Sequence, residues 1–153
     1  MLFRSILIAG TLFDGLDGTL ARATDRVTAF GAFFDSSLDR AAEAAIYAGI
    51  VYSAAVLGDI HIVTAATLAL GVGSLVSYVR ARGEGLGVSA HGGIAQRAER
   101  AIVLILGLLA AGITAETNYL LYALLIIVAL SAVTVVQRIV FVRTALATSR
   151  RRA

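Results

Sequence analysis

The chain contains no cysteine, no proline and no lysine among its 153 residues. Without cysteine there is neither a disulfide framework nor a thiolate metal site, and the redox compartment leaves no mark. Without proline, no helix is broken by the loss of a backbone donor. The missing lysine makes arginine the whole of the basic complement, 13 residues that leave a formal charge of +3. A basic balance suits nucleic acid and anionic lipid alike. Charged residues are scarce at 15%, whereas 59% of the chain is hydrophobic, against about 45–50% in an ordinary soluble domain. That excess decides for lipid and against nucleic acid. There is also no internal repeat, low-complexity tract or soluble domain.

About 20 mostly apolar residues are needed to cross roughly 30 Å of hydrocarbon. Apolar runs at 2–13, 41–57, 60–79, 101–114 and 119–142 predict an all-α fold, a polytopic integral membrane bundle with five transmembrane helices. The first and fourth runs are short, but each adjoins a polar segment that can continue the helix beyond the membrane. The first passes straight into polar residues with no small-residue cleavage site, so it reads as a span and not as a cleaved signal. Its shortness suggests that the chain begins inside a longer ancestral helix.

The arginines orient the bundle, because short cytoplasmic loops carry the positive excess. Arg22, Arg26 and Arg40 lie between the first two runs, Arg80, Arg82, Arg97 and Arg100 between the third and fourth, and Arg138, Arg143, Arg150, Arg151 and Arg152 near the end. The opposite connections, at Gly58-Asp59 and at Glu116-Thr117-Asn118, have none; Arg4 alone falls on their side. The expected arrangement is a multi-pass protein of the cell membrane with its arginine-rich end in the cytoplasm. A membrane domain at 1–147 would precede a basic, solvated tail at 148–153. The glycines of the 80–100 segment suggest a flexible connection.

Into this apolar chain the segment 14–39 sets Asp14, Asp17, Asp35 and Asp39. On a helix, residues three or four apart share a face. Asp14, Asp17, Gly18 and Ala21 form one such face, and Gly31, Asp35 and Asp39 form a row on the next helix, with small residues that allow close backbone approach. Taken singly, each acid reads equally well as a solvated residue at the membrane surface. Together they are expensive: two carboxylates about 4 Å apart repel by roughly 4 kcal/mol at an effective dielectric near 20. Four in a cluster call for cations. All-oxygen ligation suits a hard ion such as Mg²⁺, and two ions sharing bridging carboxylates make a clamp suited to phosphoryl displacement.

The spacing D-x2-D-G-x2-A-R-x8-G-x3-D-x3-D is filled at all eight fixed positions by Asp14, Asp17, Gly18, Ala21, Arg22, Gly31, Asp35 and Asp39. It resembles the signature of the CDP-alcohol phosphotransferase family. At ordinary usage of roughly one in fifteen per residue type, a chance match has a probability on the order of 10⁻⁹ per start position. The resemblance implies transfer of a phosphatidyl group from a CDP-linked lipid (CDP-diacylglycerol or the archaeal CDP-archaeol) to an alcohol, with release of CMP. It implies two Mg²⁺ ions, or Mn²⁺ in their place, with Asp14 and Asp35 bridging both, Asp17 on the first and Asp39 on the second. Asp39 would also be the general base. Gly18, Arg22 and Thr28 match positions that contact the CDP-lipid, and a guanidinium is apt there for phosphate. Family members are commonly homodimers with six transmembrane helices and an amphipathic segment before them, so the first of those helices is expected to be missing here.

Three later segments, SYVRARGE, RAER and VVQRI, look like the branch that uses inositol phosphate as the acceptor. On that likeness Arg80, Arg100 and Arg138 would bind its phosphate. Topology alone also places arginines at these helix ends. Arg138 stands apart, because Gln137-Arg138 interrupts an apolar stretch that resumes at once, and an unpaired charge there would be expensive. His61, His91, Gly71, Gly73 and the tyrosines 47, 52, 119 and 122 read as solvated, interfacial or packing residues, and Glu99 as a partner for a neighbouring arginine at a helix start. The rival readings are a relative with another acceptor, such as glycerol 3-phosphate, an intramembrane prenyltransferase, and a membrane ion-binding protein or transporter.

Overall fold

The computed structural model describes residues 28–89 and 92–150. They form four α-helices, α1 Ala29–Val56, α2 Ile60–Glu84, α3 Arg97–Thr114 and α4 Asn118–Arg150, and none of the described residues is in a strand. The four helices contain the last four apolar runs and extend them: α1 begins well upstream of its run, and α4 continues into the stretch assigned to the basic tail. The run at 2–13 lies outside the described residues.

By length and composition α2 and α4 are apolar enough to cross a membrane, over Ile60–Glu84 and Asn118–Thr148. Helix α1 carries four charges, Asp35, Asp39, Arg40 and Glu43, and α3 opens with three in its first turn, Arg97, Glu99 and Arg100. Neither therefore offers about 20 unbroken apolar residues.

The chain divides into two compact units, Met1–Ala41 and Ala42–Ala153. The described part of the first is the start of α1. Thr28 caps that helix, its Oγ1 accepting the Gly31 amide at 3.0 Å while its carbonyl accepts from the Ala32 amide at 3.0 Å. A hydroxyl in this position satisfies a donor that the first helical turn leaves over. A Cβ on residue 31 would stand 3.0 Å from that same oxygen, so the cap favours glycine there. Beyond it, Phe30, Phe33 and Phe34 cluster with ring centroids 6.0 and 6.4 Å apart, on a different side of the helix from the Gly31, Asp35 and Asp39 row.

In the second unit α4 packs against both α2 and α3. Its buried positions Leu124, Ile127, Ser131, Thr134 and Arg138 advance in alternating steps of three and four, the spacing of a helical seam. Facing residues of α2 are small, with Ala65, Ala66, Ala69 and Gly73 among the buried ones, and small residues let helix backbones approach closely. On α3, Gly107 does the same: a Cβ there would collide with Ala123 of α4 and stand 3.4 Å from the Tyr119 carbonyl. Tyr47, Ile50 and Ala54 of α1 and Leu104 of α3 complete the core.

The polarity is inverted relative to a soluble protein. Arg100, Ser131, Thr134 and Arg138 are buried, while Leu57, Ile113, Val136 and Phe141 are exposed. A broad apolar exterior of this kind marks a membrane surface. Five threonine hydroxyls within the apolar helices are satisfied on their own backbone: Thr64, Thr67, Thr114, Thr144 and Thr148 each donate to the carbonyl four residues back at 2.8–3.0 Å. Such internal partners are favoured where water is scarce, although the buried Ser131 hydroxyl has none among the described residues.

Candidate active site

The described residues include two groups of predicted site residues, one in each unit. In the first, Asp35 is exposed and Asp39 half-buried on α1, one turn apart along its axis, a rise of about 6 Å. Both are hard oxygen donors projecting from one side of a rigid helix, which is the donor chemistry that Mg²⁺ and Mn²⁺ take. The described half of the predicted ligand set therefore fits a divalent ion. Among the described residues no group of three or more His, Cys, Asp or Glu gathers. The other predicted ligands, Asp14 and Asp17, and two of the predicted CDP-lipid contacts, Gly18 and Arg22, lie outside the described residues. Thr28, the third predicted contact, is the α1 cap: its oxygen is engaged by the Gly31 amide, and its hydroxyl hydrogen can still be donated to a ligand.

In the second unit the C-terminal half of α2, the segment before α3, the first turn of α3 and the C-terminal half of α4 meet at one end, and here the three predicted acceptor arginines gather. Arg80 and Arg100 are both near enough to Arg138 to act on its charge. Their settings differ sharply. Arg80 is exposed and pairs with Glu84 one turn on, Nε to Oε1 at 2.9 Å. Arg138 is only 4% exposed; its Nη1 donates to the Val76 carbonyl at 2.6 Å and its Nε to the Gly92 carbonyl at 2.8 Å. This guanidinium thus joins α2, α4 and the segment between α2 and α3. Arg100, also 4% exposed, donates from Nη1 to the Ala95 carbonyl at 3.2 Å and from Nη2 to Glu43 Oε1 at 3.0 Å.

The glycine-rich connection is accordingly tied at several points and not merely a spacer. Besides the two arginines, Thr134 Oγ1 accepts the Ala95 amide at 3.0 Å. Gly93 sits at φ +134 against Thr134, where a Cβ would collide with the threonine methyl, so this position takes glycine on both counts. A depression of about 190 Å³ opens beside it, lined by Gly92, Gly93, Gln137, Arg138 and Phe141.

Sequence reasoning passed over Glu43. Its signal is a lone acid inside the apolar stretch AAEAAIYAGI, the same kind of interruption that singled out Arg138. Residues read as bland remain so where they are described. His61 and Glu99 are exposed, Tyr52, Tyr119 and Tyr122 are exposed, and Tyr47 is core. His91 lies outside the described residues.

With the fold and the two side-chain groups in place, comparison with known proteins assigns the class. The chain belongs to the CDP-alcohol phosphatidyltransferase family, whose model matches residues 2–143. Within that family it is similar to the archaetidylinositol phosphate synthase of Methanothermobacter thermautotrophicus, at 41% identity over 138 residues, 90% of this chain and 68% of that protein. It is 39% identical to the phosphatidylinositol phosphate synthase of Mycobacteroides abscessus over 134 residues, 87% of this chain and 61% of that one. Among solved structures it resembles Mycobacterium tuberculosis phosphatidylinositol phosphate synthase with CDP-DAG bound, with a TM-score of 0.76 and 32% identity over 86% of this chain and 68% of that one. The same enzyme in complex with manganese and citrate aligns at a TM-score of 0.75 and 31% identity, covering 88% and 66%. The chain thus spans roughly two thirds of the length of these relatives.

Proposed function

We propose that this chain transfers a phosphatidyl or archaetidyl group from a CDP-linked lipid to a hydroxyl of inositol phosphate. In this reaction the acceptor oxygen forms a bond to the lipid-linked phosphorus, the bond from that phosphorus to CMP breaks, and the hydroxyl proton passes to Asp39. The observation that carries the reading is the Gly31, Asp35 and Asp39 row, the last three positions of the complete motif, held on one side of α1. A relative with the same fold takes CDP-DAG, and two similar proteins are named for inositol phosphate products.

Asp35 and Asp39, with Asp14 and Asp17, hold two Mg²⁺ or Mn²⁺ ions, supported by a relative's complex with manganese. When bound, the ions supply neutralisation of the pyrophosphate charge and a better leaving group. Gly18, Arg22 and Thr28 bind the CDP-lipid, and Arg80, Arg100 and Arg138 bind the acceptor's phosphate. A guanidinium favours a phosphorylated acceptor over a bare polyol or an amino alcohol. The chain works as a multi-pass protein of the cell membrane, with five spans, domain 1–147 and tail 148–153, its arginine-rich end in the cytoplasm, in a homodimer.

A panel of inositol phosphate, glycerol 3-phosphate, inositol and serine, assayed for CMP release from a CDP-lipid with Mg²⁺, tests the reading. Release with inositol phosphate alone is expected. Release with glycerol 3-phosphate instead would reassign the acceptor, and no CMP with any of them would point to an ion-binding or transport role.

A further inference from the structure

The guanidinium edge formed by Nε and Nη2 of Arg100 presents two parallel N–H groups, the geometry that takes two oxygens of one anion. Here it is used unevenly. Nη2 donates to Glu43 Oε1 at 3.0 Å, whereas Nε is buried with no hydrogen-bond partner among the described residues. The pair is enclosed, with side-chain exposures of 4% for Arg100 and 15% for Glu43, and a buried guanidinium lacking a counter-ion is strongly disfavoured. Gly73 of α2 lies beneath the pair. A Cβ there would lie 3.5 Å from Arg100 Nε and 3.6 Å from Glu43 Oε1, so both charged groups lie over a backbone with no side chain in the way.

We propose that Glu43 is a positioning residue for the acceptor. Its carboxylate holds the Arg100 guanidinium at one orientation, with the Nε side of the edge left for an oxygen of the acceptor's phosphate. The proposal rests on the reading of Arg100 as a phosphate-binding residue and adds the partner that sets its aim. Glu43 itself touches neither the CDP-lipid nor the reacting atoms. Removing its charge should therefore weaken recognition of the acceptor and leave the chemical step alone.

The test is steady-state kinetics of the full chain in detergent with CDP-lipid and Mg²⁺, titrating inositol phosphate, for wild type, Glu43→Gln, Glu43→Asp and Arg100→Ala. Glu43→Gln should raise the acceptor KM about tenfold, the scale of one charge-assisted contact, with kcat and the CDP-lipid KM within about twofold. Glu43→Asp, which keeps the charge on a shorter arm, should fall between it and wild type, and it carries the test if Glu43→Gln does not accumulate as folded protein. An Arg100→Ala variant with wild-type acceptor KM would sink the phosphate-binding reading itself. A raised KM in Arg100→Ala beside unchanged values in both Glu43 variants would overturn the positioning role alone. An equal loss in kcat and in both KM values would also overturn it, as the mark of a merely structural pair.

Discussion

The acids of α1 and the arginines of the second unit contrast in how their side chains are employed. Asp35 is open to solvent and Asp39 half so, on a helix whose local needs are met by other residues: the Thr28 cap and hydroxyls of Ser36 and Ser37 that return to the Phe33 carbonyl at 2.8 and 2.9 Å. Arg100 and Arg138 are buried and tie separate elements of the second unit together through their guanidinium hydrogen bonds. Asp35, exposed on α1, is open to a ligand, whereas Arg100 and Arg138 are tied into the packing and, on the proposed reading, would serve recognition as well. Substitutions should accordingly separate function from stability at Asp35 and at Arg80, and mix them at Arg100 and Arg138.

The sharpest break is expected at Asp39. Asp39→Asn should lower kcat by about 10²–10⁴-fold, the usual contribution of a general base, while CDP-lipid binding stays within a few-fold. Near-normal turnover with Mg²⁺ supplied would remove Asp39 from the role of base. Next in size, Arg138→Ala removes two hydrogen bonds donated by a charged group, to the Val76 and Gly92 carbonyls, and such bonds contribute about 1.5–3 kcal/mol each. A clear drop in the thermal unfolding midpoint in detergent is the expected reading, and an unshifted midpoint would dissolve the contrast drawn here. Arg80→Ala should do the reverse, raising the acceptor KM about tenfold at unchanged stability, because an exposed pair such as Arg80–Glu84 contributes under about 1 kcal/mol. The smallest effect belongs to Thr28→Val. Losing the cap should destabilise α1 by about 1 kcal/mol and Thr28→Ser should keep it; activity lost in Thr28→Ser but kept in Thr28→Val would place the methyl group, not the hydroxyl, in contact with the donor.

Much of this was legible from residue spacing. Helices α2 and α4 follow from apolar length alone, and the placement of Asp35 and Asp39 on one helical row follows from a period of four. The extension of α1 upstream through those acids was legible for the same reason, since the row makes sense only on a helix. The employment of Arg100 and Arg138 was not. Their partners are mostly backbone carbonyls, at Val76, Gly92 and Ala95, and every residue has a carbonyl, so no residue type announces them. Glu43 lies 57 positions from Arg100 in the chain, and no local period links the two. What sequence could offer was only the oddity of an acid among alanines, and an oddity names no partner.

The length of α4 has a consequence for where the chemistry can occur. From Asn118 to Arg138 the helix climbs about 30 Å at roughly 1.5 Å per residue, which equals the thickness of a bilayer's hydrocarbon. In the proposed membrane, with Asn118 at one boundary, Arg138 arrives at the other, so α4 acts as a depth gauge with its mark at the lipid headgroups. The phosphate of a CDP-lipid lies at that same level. A water-borne acceptor and an oil-borne donor can then be presented to one enzyme without either leaving its own phase.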